Sequence, residues 1–170
     1  MHPNTKVLNM VQIKRILNPT DFSESSSEGT KFALEFAERF DAELHLLHVI
    51  HDVSTQIPDF GMGLAFPGFA EQIPERMQKQ EEAAIKGLSE LTPTGWSKDH
   101  SVVMAVKQGQ AFVEIIRYAR SHHIDLIVMG THGRSGLAHA LLGSVAERVV
   151  QKSPCPVLTI RPTDHEFEMP

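Results

Sequence analysis

Five short apolar runs alternate with four stretches of helical spacing, and this alternation restricts the fold more than any other feature of the chain. The runs span residues 13–17, 43–50, 101–107, 124–129 and 156–160. The fourth, Ile-Asp-Leu-Ile-Val-Met, is almost wholly apolar, as expected of a parallel strand covered on both faces. In the first helical stretch Phe32, Phe36 and Phe40 recur at i, i+4 with Ala33 and Ala37 beside them, and Ser25 with Glu28 offers a capping box. A second opens near Pro74, carries Met77, Ala84, Ile85, Leu88 and Leu91, and ends before Pro93. A third follows Gly109 with Phe112, Ile115, Ile116 and Ala119 on one side. The fourth begins at Ser144, where Ser144 and Glu147 repeat the box, and must stop before Pro154. Such alternation builds right-handed βαβ units. The predicted fold is α/β, a single doubly wound five-stranded parallel sheet with helices on both faces.

A length of 170 residues, 41% hydrophobic and 22% charged, fits one ordinary globular domain covering 1–170. Its core is expected over about 13–162, with a long loop at 52–74 and a frayed tail at 163–170. The loop holds Pro58, Gly61, Gly63, Pro67, Gly68 and Pro74 among Phe60, Phe66 and Phe69. Connections this long are commonly lids, and ordering around a ligand is expected of it. No apolar run approaches the roughly 20 residues of a membrane span. Met1 to Gln12 lacks the basic-then-apolar order of a signal peptide, so the expected location is the cytoplasm. A net charge of -5 argues against a general nucleic-acid binder.

In an open parallel sheet, ligands bind beyond the carboxyl ends of the strands, where strand order reverses. Two loops qualify. One is Asn18-Pro19-Thr20-Asp21-Phe22-Ser23 after the first strand; the other is Gly130-Thr131-His132-Gly133-Arg134-Ser135-Gly136 after the fourth, continuing to Gly143-Ser144 at a helix start. Glycines admit an anion to backbone N–H groups, and a helix N-terminus adds unpaired N–H groups and positive dipole. Glycine content by itself equally describes a turn with an ordinary N-cap. There is no G-x-x-x-x-G-K-[ST] sequence, and Gly61-Met62-Gly63 lacks the third glycine of a dinucleotide motif.

The complete pattern is Gly130, Gly133 and Gly143-Ser144 in G-x2-G-x9-G-[ST] spacing directly after an apolar strand. It resembles the nucleotide-binding signature of the universal stress protein family. Arg15-Ile16-Leu17 leading into Pro19-Thr20-Asp21-Phe22-Ser23 is similar to that family's first strand and loop. Leu46-Leu47-His48-Val49-Ile50, Asp125 to Gly130, and Ser153-Pro154-Cys155-Pro156-Val157-Leu158 are similar to its second, fourth and last strands. The resemblance implies a Rossmann-like fold of the adenine nucleotide alpha hydrolase type and the ATP-binding branch of the family. By that likeness Pro19, Thr20 and Asp21 would contact adenosine, and Val49 would offer backbone hydrogen bonds to adenine. Met129 and Gly130 would line ribose and the first phosphate. Gly133, Gly143, Ser144 and Val145 would hold the phosphates, with Thr131, His132 and Arg134 in the same loop. Ala146 departs from members with a hydroxyl residue there. The implied ligand is ATP, or AMP or ADP, with Mg or Mn bound through the phosphates, and the implied assembly is a homodimer pairing Val157, Leu158, Thr159, Ile160 and Arg161 across a two-fold axis.

His45, His48 and His51 alternate faces on a strand and cannot converge on one ion; the histidines are expected at the surface and in loops. Cys155, the single cysteine, has no adjacent histidine to activate it, and Trp96 and Tyr118 read as packing residues. The leading function is an ATP-binding regulator in stress response. The rivals are a slow ATPase or nucleotidyl-transfer enzyme using Asp21, His132 or Arg134, and a structural dimer with a vestigial pocket. A lone carboxylate is thin equipment for hydrolysis, and the intact glycine pattern opposes a vestigial pocket.

Overall fold

The computed structural model describes residues 11–51, 69–131 and 142–161, with side chains of the second helix described from residue 74 onward. The order is β1 (Arg15–Thr20), α1 (Glu24–Phe40), β2 (Glu43–Ile50), α2 (Phe69–Glu90), α3 (Trp96–Asp99), β3 (Val102–Gln108), α4 (Ala111–Ser121), β4 (Leu126–Gly130), α5 (Ser144–Lys152) and β5 (Val157–Ile160). All strand pairs are parallel and the sheet order is β3-β2-β1-β4-β5. The fold is therefore the doubly wound α/β sheet that the alternation predicts. Strand order reverses between β1 and β4.

Alternation along the strands divides the core in two. Ile16, Leu44, Leu46, Val128 and Ile160 meet Ala33 and Ala37 of α1 and Leu88 of α2 on one face. Leu17, Leu47, Ile127 and Met129 meet Ile115, Tyr118 and Ala119 of α4 and Ala146 and Val149 of α5 on the other. Leu17, Leu44, Leu46, Leu47, Ile127 and Val128 have no exposed surface, which is why their strands read as continuous apolar runs.

Four local expectations are corrected. β1 continues through Pro19 and Thr20, which the sequence reading places in a loop. The Arg15 carbonyl accepts from Asp125 N–H, so Arg15, Leu17 and Pro19 turn their backbone groups toward β4. Pairing of β1 with β4 extends only to Leu17↔Ile127, whereas pairing with β2 extends to Thr20↔His48. The missing N–H of Pro19 thus faces the gap where β1 and β4 part, and no ladder bond is lost. The cap of α1 is Ser23, whose hydroxyl accepts from Ser26 N–H at 3.2 Å, rather than Ser25. α2 begins at Phe69, so Pro74 lies inside it instead of opening it. Of the presumed 52–74 loop, residues 52–68 lie outside the described residues, and the remainder is helix.

The fourth correction is the phenylalanine stripe. The buried face of α1 is Ser26, Gly29, Thr30, Ala33 and Ala37, while Phe32 and Phe40 are 39% and 45% exposed. Small residues face inward because α1 lies very close to β4. A Cβ on Gly29 would sit 2.7 Å from Gly130 N, and one on Gly130 would sit 2.5 Å from the Ser25 carbonyl oxygen. Phe36 is partly buried against the core, and its ring meets those of Phe32 and Phe40 edge to face.

Candidate functional site

Where β1 and β4 diverge, the polar groups between them must find partners. Asn18, fully buried, donates through its amide to the Val128 carbonyl at 2.8 Å and accepts from the Thr30 hydroxyl at 2.9 Å. The gap opens at the carboxyl ends of the strands into a cavity of about 630 Å³. Pro19, Thr20 and Asp21 form one side of it; Leu47, Val49 and His51 of β2 and its end form another. Met129, Gly130 and Thr131 close the β4 end, facing Gly143, Ser144, Val145 and Ala146 at the start of α5.

Ten residues singled out by sequence, namely Pro19, Thr20, Asp21, Val49, Met129, Gly130, Thr131, Gly143, Ser144 and Val145, therefore surround one cavity. His132, Gly133 and Arg134 lie outside the described residues. Ser26, Leu47, His51, Ala111 and Ile115 also line it and were not singled out. Leu47 and His51 were within reach of the sequence, since they share a strand face with Val49 by the period of two. Ser26 and Ala111 belong to helices whose approach only the packed structure brings about.

The walls differ in chemistry. Leu47, Val49, Ala111 and Ile115 present an apolar slot. Opposite stands the N-terminus of α5, capped by Gly143 with no side-chain cap hydrogen bond. Ser144 is the first helical residue, not the cap, which corrects the expected capping box. Its hydroxyl sits beside first-turn N–H groups carrying roughly half a positive charge from the helix dipole. The Gly143 N–H donates to the Thr131 carbonyl at 2.7 Å, and the Thr131 N–H donates to the Ile160 carbonyl at 2.9 Å, so both ends of the β4–α5 connection are tied to the sheet.

The loop after β1 is built from short local bonds. Asp21 Oδ1 accepts from Ser23 N–H at 3.0 Å, and the Thr20 hydroxyl oxygen accepts from Phe22 N–H at 3.0 Å. The Ser26 hydroxyl donates to the Ser23 carbonyl at 2.9 Å, leaving Thr20 to donate to Ser26 Oγ at 3.0 Å. Phe22 carries φ 63, a left-handed conformation costing an ordinary residue about 1–2 kcal/mol.

The model of the universal stress protein family matches residues 12–161. This chain belongs to that family. It is 38% identical over 148 residues to the universal stress protein MJ0531 of Methanocaldococcus jannaschii, covering 87% of this chain and 82% of the relative. The solved structure of MJ0577, from the same organism, superposes with a TM-score of 0.72 at 30% identity, covering 91% of this chain and 100% of that one. Two solved universal stress proteins share the fold and were crystallised with nucleotides. One is in complex with cAMP (TM-score 0.59, 20% identity, 88% and 98% coverage). The other, from Archaeoglobus fulgidus, is in complex with dAMP (TM-score 0.55, 17% identity, 89% and 99% coverage).

Two other groups of this universal stress protein have structural roles. His45 is buried, not at the surface as the sequence reading expects: its Nε2 meets Glu43 Oε1 at 2.9 Å and its Nδ1 meets the Tyr118 hydroxyl at 2.9 Å. His122 stacks on Tyr118 with ring centroids 3.8 Å apart. Burial pushes the His45 pKa below its usual 6.5, against the pull of Glu43, and pushes Tyr118 up; the Ser101 hydroxyl holds Glu43 down. The cluster lies near the start of β2, and His45, Tyr118 and His122 are not among the residues that line the cavity. Among the described residues no group of three His, Cys, Asp or Glu side chains could hold a metal ion, and no helix is long and apolar enough to cross a membrane. Burial pushes the Cys155 thiol up, opposite to what a reactive thiolate needs.

Proposed function

We propose that this chain binds an adenine nucleotide, ATP or its products ADP and AMP, in the cavity and acts as a nucleotide-dependent regulator in the stress response. The observation that carries the proposal is the pairing, across one cavity, of an apolar slot with a helix N-terminus whose cap, Gly143, makes no side-chain hydrogen bond. Adenine is a flat apolar-faced ring with polar edges, and phosphate is an anion. Leu47, Val49 and Ile115 suit the ring. Glu43 N–H bonds to Lys14, so odd-numbered residues of β2 turn their backbone toward β1, whose pairing ends at Thr20↔His48. The Val49 carbonyl therefore lies past its last strand partner, which supports a role for it in accepting from the adenine amino group. Asp21 suits the ribose hydroxyls, and Gly143, Ser144 and Val145 the phosphates, with Met129, Gly130 and Thr131 beneath and His132, Gly133 and Arg134 contributing from the same loop. Mg or Mn would ride on the phosphates rather than on a protein cage. Bound dAMP and cAMP in two proteins of this fold are consistent with the assignment.

Turnover is expected to be slow. Peptide N–H donors that grip ground-state phosphates do not by themselves favour a transition state. Asp21 already accepts from Ser23 N–H, so its carboxylate is engaged in loop structure. We further propose a homodimer formed along β5, an edge strand. The Pro156 and Ile160 carbonyls bond to β4, so Val157, Thr159 and Arg161 turn their backbone groups outward to a second copy.

Mass spectrometry of nucleotide released on denaturing the purified protein, with calorimetric titration of AMP, ADP and ATP, tests the assignment. Gly143→Asp should weaken binding at least about tenfold, or about 1.4 kcal/mol. Unchanged affinity in that folded variant defeats it. A turnover above about 1 s⁻¹, lost in Asp21→Ala with binding retained, would favour an enzyme.

A further inference from the structure

Phe22 follows Asp21 directly and holds a left-handed backbone at φ 63. A bulky side chain persists there only when its surroundings enforce it, and such residues cluster at ligand sites. The surroundings of Phe22 come from two separate elements. Its ring stacks on His48 of β2, centroids 4.5 Å apart at an interplanar angle of 30°. The same ring packs on α2 at Gly87, where a Cβ would stand 3.0 Å from its Cε1 and Cζ. His48 donates from Nδ1 to the Thr20 carbonyl at 2.8 Å, and the Phe22 N–H closes onto the Thr20 hydroxyl at 3.0 Å.

Thr20, Asp21 and Ser26 line the cavity, whereas Phe22, His48 and Gly87 do not. The ring packs instead against the core on the α1 and α2 side of the sheet. Whatever this trio contributes to the cavity must therefore pass through the backbone of the loop. We propose that Phe22, clamped between His48 and Gly87, is a positioning residue that sets Thr20 and Asp21 in their nucleotide-binding geometry. The inference rests on the nucleotide reading of the cavity and deepens it: the grip on adenosine depends on a contact with α2, outside the site.

Two substitutions in the full chain test this, read by calorimetric titration of AMP and by thermal denaturation. Phe22→Asn keeps a residue that tolerates the left-handed region and deletes only the ring, so the dissociation constant should rise about tenfold. Gly87→Ala puts a better helix former into α2 while its methyl presses on the ring. It should weaken AMP about three- to fivefold with a melting temperature no lower than the wild type. A purely structural contact would move stability and leave affinity alone. Should Phe22→Asn fail to fold, Gly87→Ala decides. Variants that bind AMP within about twofold of a binding wild type overturn the positioning role alone. A wild type that binds neither AMP, ADP nor ATP overturns the nucleotide reading and this inference with it.

Discussion

Replacing Gly29 with alanine should destabilise the protein even though it improves the helix that contains it. Gly29 lies on the sheet-facing side of α1, and the added Cβ would stand 2.7 Å from Gly130 N, 2.9 Å from Met129 C and 3.2 Å from Met129 Cα. Ordinary contact begins near 3.4 Å, so α1 and β4 must separate by about 0.7 Å. All three opposing atoms are backbone of a buried strand, so no side chain can swing aside. Overpacking of this kind costs about 1–3 kcal/mol, against about 1 kcal/mol gained from helix propensity. The difference is about 0–2 kcal/mol. Because the clash is with backbone that cannot yield, the expected loss lies in the upper half, about 1–2 kcal/mol, and each kcal/mol lowers the midpoint of a chain this size by about 2–4 °C. Denaturant titration without nucleotide measures it. Stability equal to or above the wild type, as propensity alone would give, refutes the close-packing argument. Gly130→Ala meets Ser25 O at 2.5 Å and should cost at least as much. The double variant should lose less than the sum, because one displacement of α1 relieves both clashes.

Asn18→Asp replaces the amide that donates to the Val128 carbonyl with an acceptor in a fully buried site, and should cost about 3 kcal/mol or more by urea denaturation; a loss below about 1 kcal/mol would show the bond to be dispensable. His45 has a folded pKa below 6.5, so on acidification the unfolded chain takes up its proton first. Stability should be level above about pH 7 and fall as pH drops through 6.5 toward the folded value, and His45→Gln should flatten that part of the profile; stability rising on acidification there would contradict the burial argument. Thr159→Pro removes an outward-facing N–H from β5 without touching the bonds to β4. Light scattering should show the proposed dimer shifting toward monomer at micromolar concentration, and a wild type that is already monomeric would eliminate that interface.

The alternation of runs 43–50 and 124–129 with amphipathic stretches is local information, and it determined the doubly wound sheet because period and length do not depend on distant residues. The glycine spacing likewise marked the β4–α5 connection, whose described ends, Met129 to Thr131 and Gly143 to Ala146, line one cavity with Pro19, Thr20 and Asp21. Chain-end signals were less informative. Pro19 reads as part of the loop after the first strand, yet it is a residue of β1 because β1 and β4 part beside it, a fact of pairing between residues over a hundred positions apart. The stripe read on α1 does hold Ala33, Ala37 and, in part, Phe36 against the core, yet Phe32 and Phe40 are exposed and Gly29 faces the sheet, because the separation of helix and strand sets which side chains fit. Gly130 belongs to the signature by sequence, but in the fold it is also the place where the Ser25 carbonyl presses on β4. Spacing along the chain says that a side chain is absent there; only the packed structure says what would collide with it.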